Sequence, residues 1–168
     1  QWEQARELLR AVGLESYVSC RADQMALFPS SLQDRLIPDT FLELGPLGGV
    51  LSAFRRHSSF AWLAVACDQP LLDEATLREL LNHRRGLATS FEGTQPGPIF
   101  DPLPSIWEPG CRWELLRLLG EGIESAAEAL ARLGAERVVP KRRAALTNVN
   151  TPEQLSALRA ELKAATKD

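Results

Sequence analysis

The chain has 168 residues, of which 45% are hydrophobic and 24% are charged, and its formal net charge is -3. A chain of this length fits one domain and can bury roughly 70% of the surface that its unfolded form exposes, so we expect a single domain over 1–168. The acidic balance and the scattered basic residues argue against a nucleic-acid platform, which would present a concentrated basic face.

Cysteine usage and hydropathy exclude two further classes. Cys20, Cys67 and Cys111 are odd in number and lack a C-x-x-C pattern, so the sequence supports neither a disulfide framework nor a zinc site. The apolar run from Phe60 to Cys67 is too short to span a bilayer, which needs about 20 apolar residues. We therefore expect a protein of the reducing cytoplasm, without a membrane or targeting segment.

The first half of the chain alternates predicted helices and strands. In chain order these are a helix over 2–12, strands over 17–20 and 35–37, a helix over about 46–57, a strand over 60–66 and a helix over about 74–84. Gly13 is a natural stop for the first helix, Pro38 ends the second strand, and Asp73 is the predicted N-cap of the last helix.

The second half continues the alternation. In chain order it contains strands over 86–91 and 103–107, helices over about 111–119 and 124–133, strands over 136–139 and 144–147, and a last helix from Pro152 to about Ala165. An exposed loop over 93–98 separates the first two of these strands, and Thr151 with Gln154 forms a capping box for the last helix. The alternation predicts an α/β fold with three α/β/α layers around a mostly parallel, Rossmann-like sheet.

Two segments predict a nucleotide site at one edge of that sheet. The stretch Leu-Gly-Pro-Leu-Gly-Gly-Val at 44–50 packs three glycines around a helix start, and the apolar strand over 60–66 ends on Cys67-Asp68. Ligands of open α/β sheets collect at the carboxyl ends of the strands, where Asp68 could hold the magnesium that accompanies a nucleoside triphosphate. Asp-Gln-Pro also suits a turn and the glycines also suit close packing, while the Gly-Lys-Ser/Thr of a Walker A loop is absent.

Further polar residues are candidates for a functional role. Asp39 is expected to reach toward the same edge, although an exposed loop carboxylate has the same pattern. Asn148 and Asn150 are spaced by one, so in an extended segment they project from the same side and could bind a polar ligand. His57 and His83 each lie at a predicted helix end, where interaction with the helix dipole is a sufficient reason for either. With no Ser or Cys constellation visible, direct in-line displacement at phosphorus fits better than covalent catalysis.

These motifs together resemble those of the molybdenum cofactor guanylyltransferases, the MobA-type branch of the nucleotidyltransferases. The resemblance extends over nearly the whole chain and rests on Pro-Asp at 38–39, the glycine segment at 44–50, Ala-Cys-Asp-Gln-Pro at 66–70, Leu-Pro-Ser-Ile-Trp-Glu-Pro at 103–109 and Asn-Val-Asn-Thr-Pro at 148–152. Such enzymes join the GMP part of GTP to the phosphate of molybdopterin and release pyrophosphate. The resemblance implies a Rossmann-like nucleotidyltransferase domain, GTP and molybdopterin as substrates, and transient contact with molybdoenzymes or their chaperones.

The resemblance also implies roles for individual residues. Asp68 would be the catalytic residue and the Mg²⁺ ligand. Asp68 and Ser19 would both contact the nucleotide. Asn148 and Asn150 would lie toward the molybdopterin. The remaining nucleotide contacts would come from Asp39, Gly45, Pro46, Leu47, Gly48 and Gly49.

One departure from the family is large. The family opens with a strand and a Leu-Ala-Gly-Gly-x-Ser-x-Arg-Met-Gly-x-Asp-Lys loop, and this sequence contains neither. That strand would be central, between the strands at 17–20 and 60–66, so its loss would leave two unpaired backbone edges. We therefore hypothesise that the sequence is an incomplete record of a longer polypeptide. Two alternatives stay open: a related nucleotidyltransferase that uses CTP or another acceptor, and a catalytically silent module that binds a cofactor or a partner.

Overall fold

The protein is described by a computed structural model that covers residues 1–93, 99–149, 151 and 154. The helices of this part of the chain are α1 (Trp2–Ala11), α2 (Gly45–Arg56), α3 (Glu74–Asn82), α4 (Arg112–Gly120) and α5 (Ala126–Arg132). The strands are β1 (Val18–Cys20), β2 (Leu36–Pro38), β3 (Trp62–Ala64), β4 (Ala88–Glu92), β5 (Phe100–Trp107) and β6 (Glu136–Val138). None of the described helices is long and apolar enough to cross a membrane.

The strands form two sheets. A four-stranded sheet has the order β3-β5-β4-β6, and β1 pairs with β2 in a separate parallel pair. Within the larger sheet β3, β4 and β6 run in one direction, while β5 is antiparallel to both of its neighbours. The α/β prediction is confirmed, and β5 is the one strand of that sheet that departs from the parallel direction.

Two apolar clusters cover opposite faces of the four-stranded sheet. Trp107 of β5 packs with Phe54 of α2 and Leu130 of α5, whereas its neighbour Ile106 packs with Leu80 of α3. Successive side chains of a strand point to opposite faces of the sheet. Helices α2 and α5 therefore cover one face and α3 covers the other, which is the predicted three-layer arrangement.

The predicted N-cap of α3 is confirmed by its hydrogen bonds. Oδ1 of Asp73 accepts from the backbone N–H of Thr76 at 2.8 Å and from the Thr76 hydroxyl at 2.7 Å. This satisfies one of the N–H groups that a helix start leaves without a partner.

One predicted strand is wrong, and others have different bounds. Residues 144–147 were expected to be a strand, but Arg143–Leu146 form a short 3-10 helix. In this turn the N–H of Ala145 donates to the carbonyl of Arg142 at 3.0 Å, and alanine contributes little to strand formation. The predicted strand over 60–66 is shorter in the structure, where it spans only 62–64.

The predicted capping box is confirmed: the N–H of Gln154 donates to the Thr151 hydroxyl at 3.2 Å, and the N–H of Thr151 donates to the Gln154 side-chain oxygen at 3.2 Å. The rest of the predicted last helix and most of the predicted loop over 93–98 lie outside the described residues.

Candidate active site

A cleft of about 750 Å³ lies between β1 and β3, with residues of α1 and α2 also lining it. Among the described residues no backbone pairing joins these two strands, although α2 contacts both. Tyr17, immediately before β1, and Trp62, the first residue of β3, have ring centroids 5.4 Å apart. The starts of the two strands therefore lie close together at the cleft.

Five of the predicted nucleotide residues line this cleft. Ser19 of β1 donates its hydroxyl hydrogen to Oδ1 of Asp39 at 2.6 Å, which joins the ends of β1 and β2. Gly45, Pro46 and Gly49 line the same cleft from the first turns of α2. A Cβ at Gly49 would lie 3.1 Å from the Ser19 hydroxyl oxygen, so helix and strand approach closely here.

The start of α2 is suited to an anion. Leu44 is the N-cap residue and makes no side-chain capping hydrogen bond, and Pro46 lies in the first turn. The N–H groups of a helix start point outward and carry the positive end of the helix dipole. Because Gly45 and Pro46 line the cleft, this helix end faces it, and phosphate groups commonly bind in such a position.

Leu47 and Gly48 are not brought to the cleft. Leu47 is 1% exposed and belongs to the core cluster on the α2 face of the sheet. A Cβ at Gly48 would lie 2.3 Å from the carbonyl oxygen of Phe41, a separation that real side chains do not tolerate. Close packing therefore explains both residues. For Gly48, this is the alternative to nucleotide binding that the sequence leaves open.

Asp68 lies in the turn after β3, beyond the strand's carboxyl end. Its side chain is half-buried, and Oδ1 is buried without a hydrogen-bond donor among the described residues. An unpaired buried carboxylate oxygen is costly, and a bound cation removes that cost. In the described part of the chain no three His, Cys, Asp or Glu residues form a group that could hold a metal. Asp68 therefore fits Mg²⁺ as a lone carboxylate ligand, since Mg²⁺ keeps several waters and binds substrate phosphates.

The asparagine segment is attached to the Asp68 turn. The backbone N–H of Val149 donates to the carbonyl of Asp68 at 2.8 Å, so the exposed Asn148 lies next to a residue that contacts this turn. Asn150 lies outside the described residues.

The contacts of the two histidines and the burial of two cysteines account for these residues structurally. His57 stacks on Phe60 with ring centroids 4.8 Å apart, and Nδ1 of His83 lies 2.8 Å from the carbonyl oxygen of Glu79. Burial raises the pKa of the Cys111 thiol to about 12, so this group stays protonated. Burial, with the nearby Asp39 carboxylate, also raises the pKa of Cys20.

Sequence reasoning missed one residue next to Asp68. Gln69 is 7% exposed, and its side-chain amide donates to the carbonyl oxygens of Leu103 and Leu146. The Asp-Gln-Pro sequence indicates only a turn, and no local signal points to partners 34 and 77 residues away.

Comparison with known proteins supplies the family. The MobA-like NTP transferase domain matches residues 2–141, most of the chain. The chain belongs to this family. The MobA-like chain is 32% identical over 155 residues to the molybdenum cofactor guanylyltransferase of Pseudomonas putida KT2440, a match that covers 88% of the chain and 76% of the relative. It is 26% identical to a probable molybdenum cofactor guanylyltransferase of Haloferax mediterranei, with 86% and 72% covered.

Solved structures agree on the fold. An Aquifex aeolicus protein has a TM-score of 0.72 at 18% identity, with 89% of this chain and 78% of that chain covered. The molybdopterin-guanine dinucleotide biosynthesis protein A of Archaeoglobus fulgidus has a TM-score of 0.67 at 21% identity, with 97% and 85% covered. The predicted nucleotidyltransferase-like fold is therefore confirmed. The family match and the guanylyltransferase relatives make the MobA-like chain an enzyme of the nucleotidyltransferase class.

Proposed function

We propose that this protein transfers GMP from GTP to the phosphate of molybdopterin, forming molybdopterin guanine dinucleotide and releasing pyrophosphate. The observation that carries the proposal is the gathering of Ser19, Asp39, Gly45 and Gly49 at one cleft, with the unpaired carboxylate of Asp68 beyond the end of β3. The similarity to named guanylyltransferases supports the choice of substrates.

The nucleotide half of the site follows from the groups that line the cleft. The start of α2 binds the triphosphate through the N–H of Gly45 and the positive end of the helix dipole, because Leu44 supplies no side-chain cap and Pro46 has no N–H. Asp39 is an acceptor-only carboxylate and accepts hydrogen bonds from the ribose or the guanine. Ser19 orients that carboxylate through its 2.6 Å hydrogen bond.

The chemical step is an in-line displacement at the α-phosphorus of GTP. An oxygen of the molybdopterin phosphate forms the new P–O bond, and the bond to the bridging oxygen of pyrophosphate breaks, with its electron pair leaving on pyrophosphate. Asp68 would hold Mg²⁺ through its unpaired oxygen, and when bound the metal neutralises the charge that develops on the attacked phosphoryl group. Asn148 and Asn150 bind the acceptor on the molybdopterin side.

The proposal also includes one further strand between β1 and β3. Strands β1 and β3 both line the cleft, and their edges are not paired with each other in the described structure. A strand inserted there lies about 4.8 Å from each neighbour, the normal spacing in a sheet. Its carboxyl end lies beside Ser19 and Gly49, so the residues that follow it complete the phosphate site.

A direct assay tests the proposed reaction. The assay uses two purified proteins, one of residues 1–168 and one with additional residues upstream of Gln1. Each is incubated with molybdopterin, Mg²⁺ and either GTP or CTP, and pyrophosphate release is measured. We expect release with GTP that depends on molybdopterin. Equal or faster release with CTP would assign the protein to a cytidylyl branch. Saturable molybdopterin binding without release from either nucleotide would indicate a silent cofactor-binding module.

A further inference from the structure

Gln69 connects three segments that are far apart in the sequence. Its side-chain amide nitrogen donates to the carbonyl of Leu103 in β5 at 2.9 Å and to the carbonyl of Leu146 at 3.4 Å. Leu146 ends the short turn that precedes Asn148. Gln69 thus fastens the Asp68 turn both to the central sheet and to the asparagine segment.

Two further contacts join the same two segments of the chain. The N–H of Val149 donates to the carbonyl of Asp68 at 2.8 Å, and the guanidinium of Arg142 binds the carboxylate of Asp73. With the Gln69 hydrogen bonds, they join residues 68–73 to residues 142–149. We call this set of contacts the seam.

The side chain of Gln69 is unusual for a turn because it is buried. Its amide oxygen is buried and has no donor among the described residues, which makes this side chain less favourable for stability than an apolar one of the same size. An amide at this position therefore has to contribute through its two N–H donors. Both reach backbone carbonyls, so they restrain main-chain positions.

We propose that Gln69 is a positioning residue that holds the segment carrying Asn148 at a constant distance from Asp68. This role rests on the proposed function, in which Asp68 serves the nucleotide and Asn148 serves the acceptor. An in-line displacement requires the attacking oxygen to be aligned with the α-phosphorus, and a misplacement of about 1 Å can reduce the rate 100-fold. Gln69 touches neither substrate and acts through the backbone on both sides of the reaction centre.

The kinetic test compares two variants that both lose buried side-chain hydrogen bonds to β5. Gln69→Met keeps the length of the side chain and removes its donors. The control, Ser90→Ala, removes a hydroxyl that donates to the carbonyls of Asp101 and Pro104 in β5, neither of which is a residue of the seam. We expect Gln69→Met to lower kcat about 10-fold with little change in the KM for GTP, as loss of acceptor alignment requires. Ser90→Ala should leave both values unchanged, even at an equal loss of thermal stability.

A second readout does not depend on activity. Hydrogen exchange at the backbone amide of Val149, which donates to Asp68, should be about 10-fold faster in Gln69→Met than in the wild type and unchanged in Ser90→Ala. Unchanged exchange in Gln69→Met overturns the proposal, as does an unchanged kcat. If the wild type transfers no GMP, the proposed function fails, and the exchange experiment alone decides whether Gln69 holds the segment.

Discussion

At the scale of single residues, the unpaired oxygen of Asp68 is the clearest chemical signal in the site. It is buried and has no donor in the described structure, in contrast to Asp39, which accepts from Ser19, and Asp73, which accepts from Thr76. In Asp39 and Asp73, Oδ1 already has a donor within the chain. The state of Asp68 instead favours a ligand that arrives from outside the chain.

Replacing Asp68 should separate activity from stability. We expect Asp68→Asn to reduce the rate of GMP transfer by roughly 100-fold to 1,000-fold, the range found when one electrostatic contact to a transition state is removed. The free energy of unfolding should change little, because Oδ1 has no donor to lose. Initial rates over a Mg²⁺ titration and a thermal melt measure the two effects. Full turnover in the variant would refute the metal role.

Adjacent glycines of α2 provide a matched pair. Gly48→Ala should destabilise the protein by about 1–3 kcal/mol, because the new Cβ would lie 2.3 Å from the Phe41 carbonyl oxygen. Gly49→Ala meets only the Ser19 hydroxyl at 3.1 Å, so its stability cost should be smaller while GTP affinity falls. The helix propensity gain is common to both variants. Urea unfolding and GTP titration measure these differences, and equal stability of the two variants would contradict this account.

At the scale of elements, the start of α3 ties secondary structure to the seam. Asp73 caps α3 through Thr76 and also binds Arg142, which follows β6. Partial burial of Asp73 opposes ionisation, but the hydrogen bonds from Thr76 and the charge of Arg142 outweigh it and keep the pKa of Asp73 below its ordinary value. The ionised form is therefore the one that the folded state binds.

This cap predicts a pH-dependent stability difference. Asp73→Ala should lower the free energy of unfolding by about 1 kcal/mol at neutral pH, the usual value of an N-cap. Since the pKa is depressed on folding, the contribution is complete above the ordinary carboxyl pKa of 3.8 and disappears as the pH falls through the lower folded value. Denaturant unfolding of both proteins from pH 7 to the acid limit measures it. A difference that stays constant down to the lowest pH would assign the effect to packing.

At the scale of the whole molecule, the cleft divides the strands into two groups. Strands β1 and β2 stand on one side and the four-stranded sheet on the other, and α2 contacts both groups. All three residues of β3 are only half-buried, whereas the first four residues of β4 are buried. An additional strand between the edges of β1 and β3 would therefore add more buried surface and backbone hydrogen bonding than a strand elsewhere in the fold.

An extended polypeptide tests this feature. We expect a chain with residues upstream of Gln1 to unfold at a higher temperature than residues 1–168 alone, by about 2–4 °C for each kcal/mol gained. Backbone amides at 18–20 and 62–64 should become more protected from hydrogen exchange. Equal melting temperatures and unchanged protection at both strands would show that the cleft receives no strand.

Local sequence was enough for the elements whose signals are short-range. The helix at 45–56 was predicted within one residue at each end, because Gly-Pro begins it and Arg55 and Arg56 suit its last turn. Asp73 was recognised as an N-cap from its position alone. The strand prediction at 144–147 failed because Ala145 and Leu146 are buried in a 3-10 turn, and the apolar sequence alone does not distinguish a buried turn from a buried strand. Extended segments have weaker local preferences than helices, so their fate depends on partners.

The candidate site divides along the same line. Motif residues such as Asp68 and the glycine segment could be found in the chain because strand ends and helix starts have local signatures. The roles of Leu47 and Gly48 in packing, the Ser19–Asp39 hydrogen bond and the seam built on Gln69 depend on residues that are distant in sequence. Sequence patterns report what each segment can form by itself. Only the folded chain decides which segments meet, because those contacts are chosen by burial and by the backbone groups left to be satisfied.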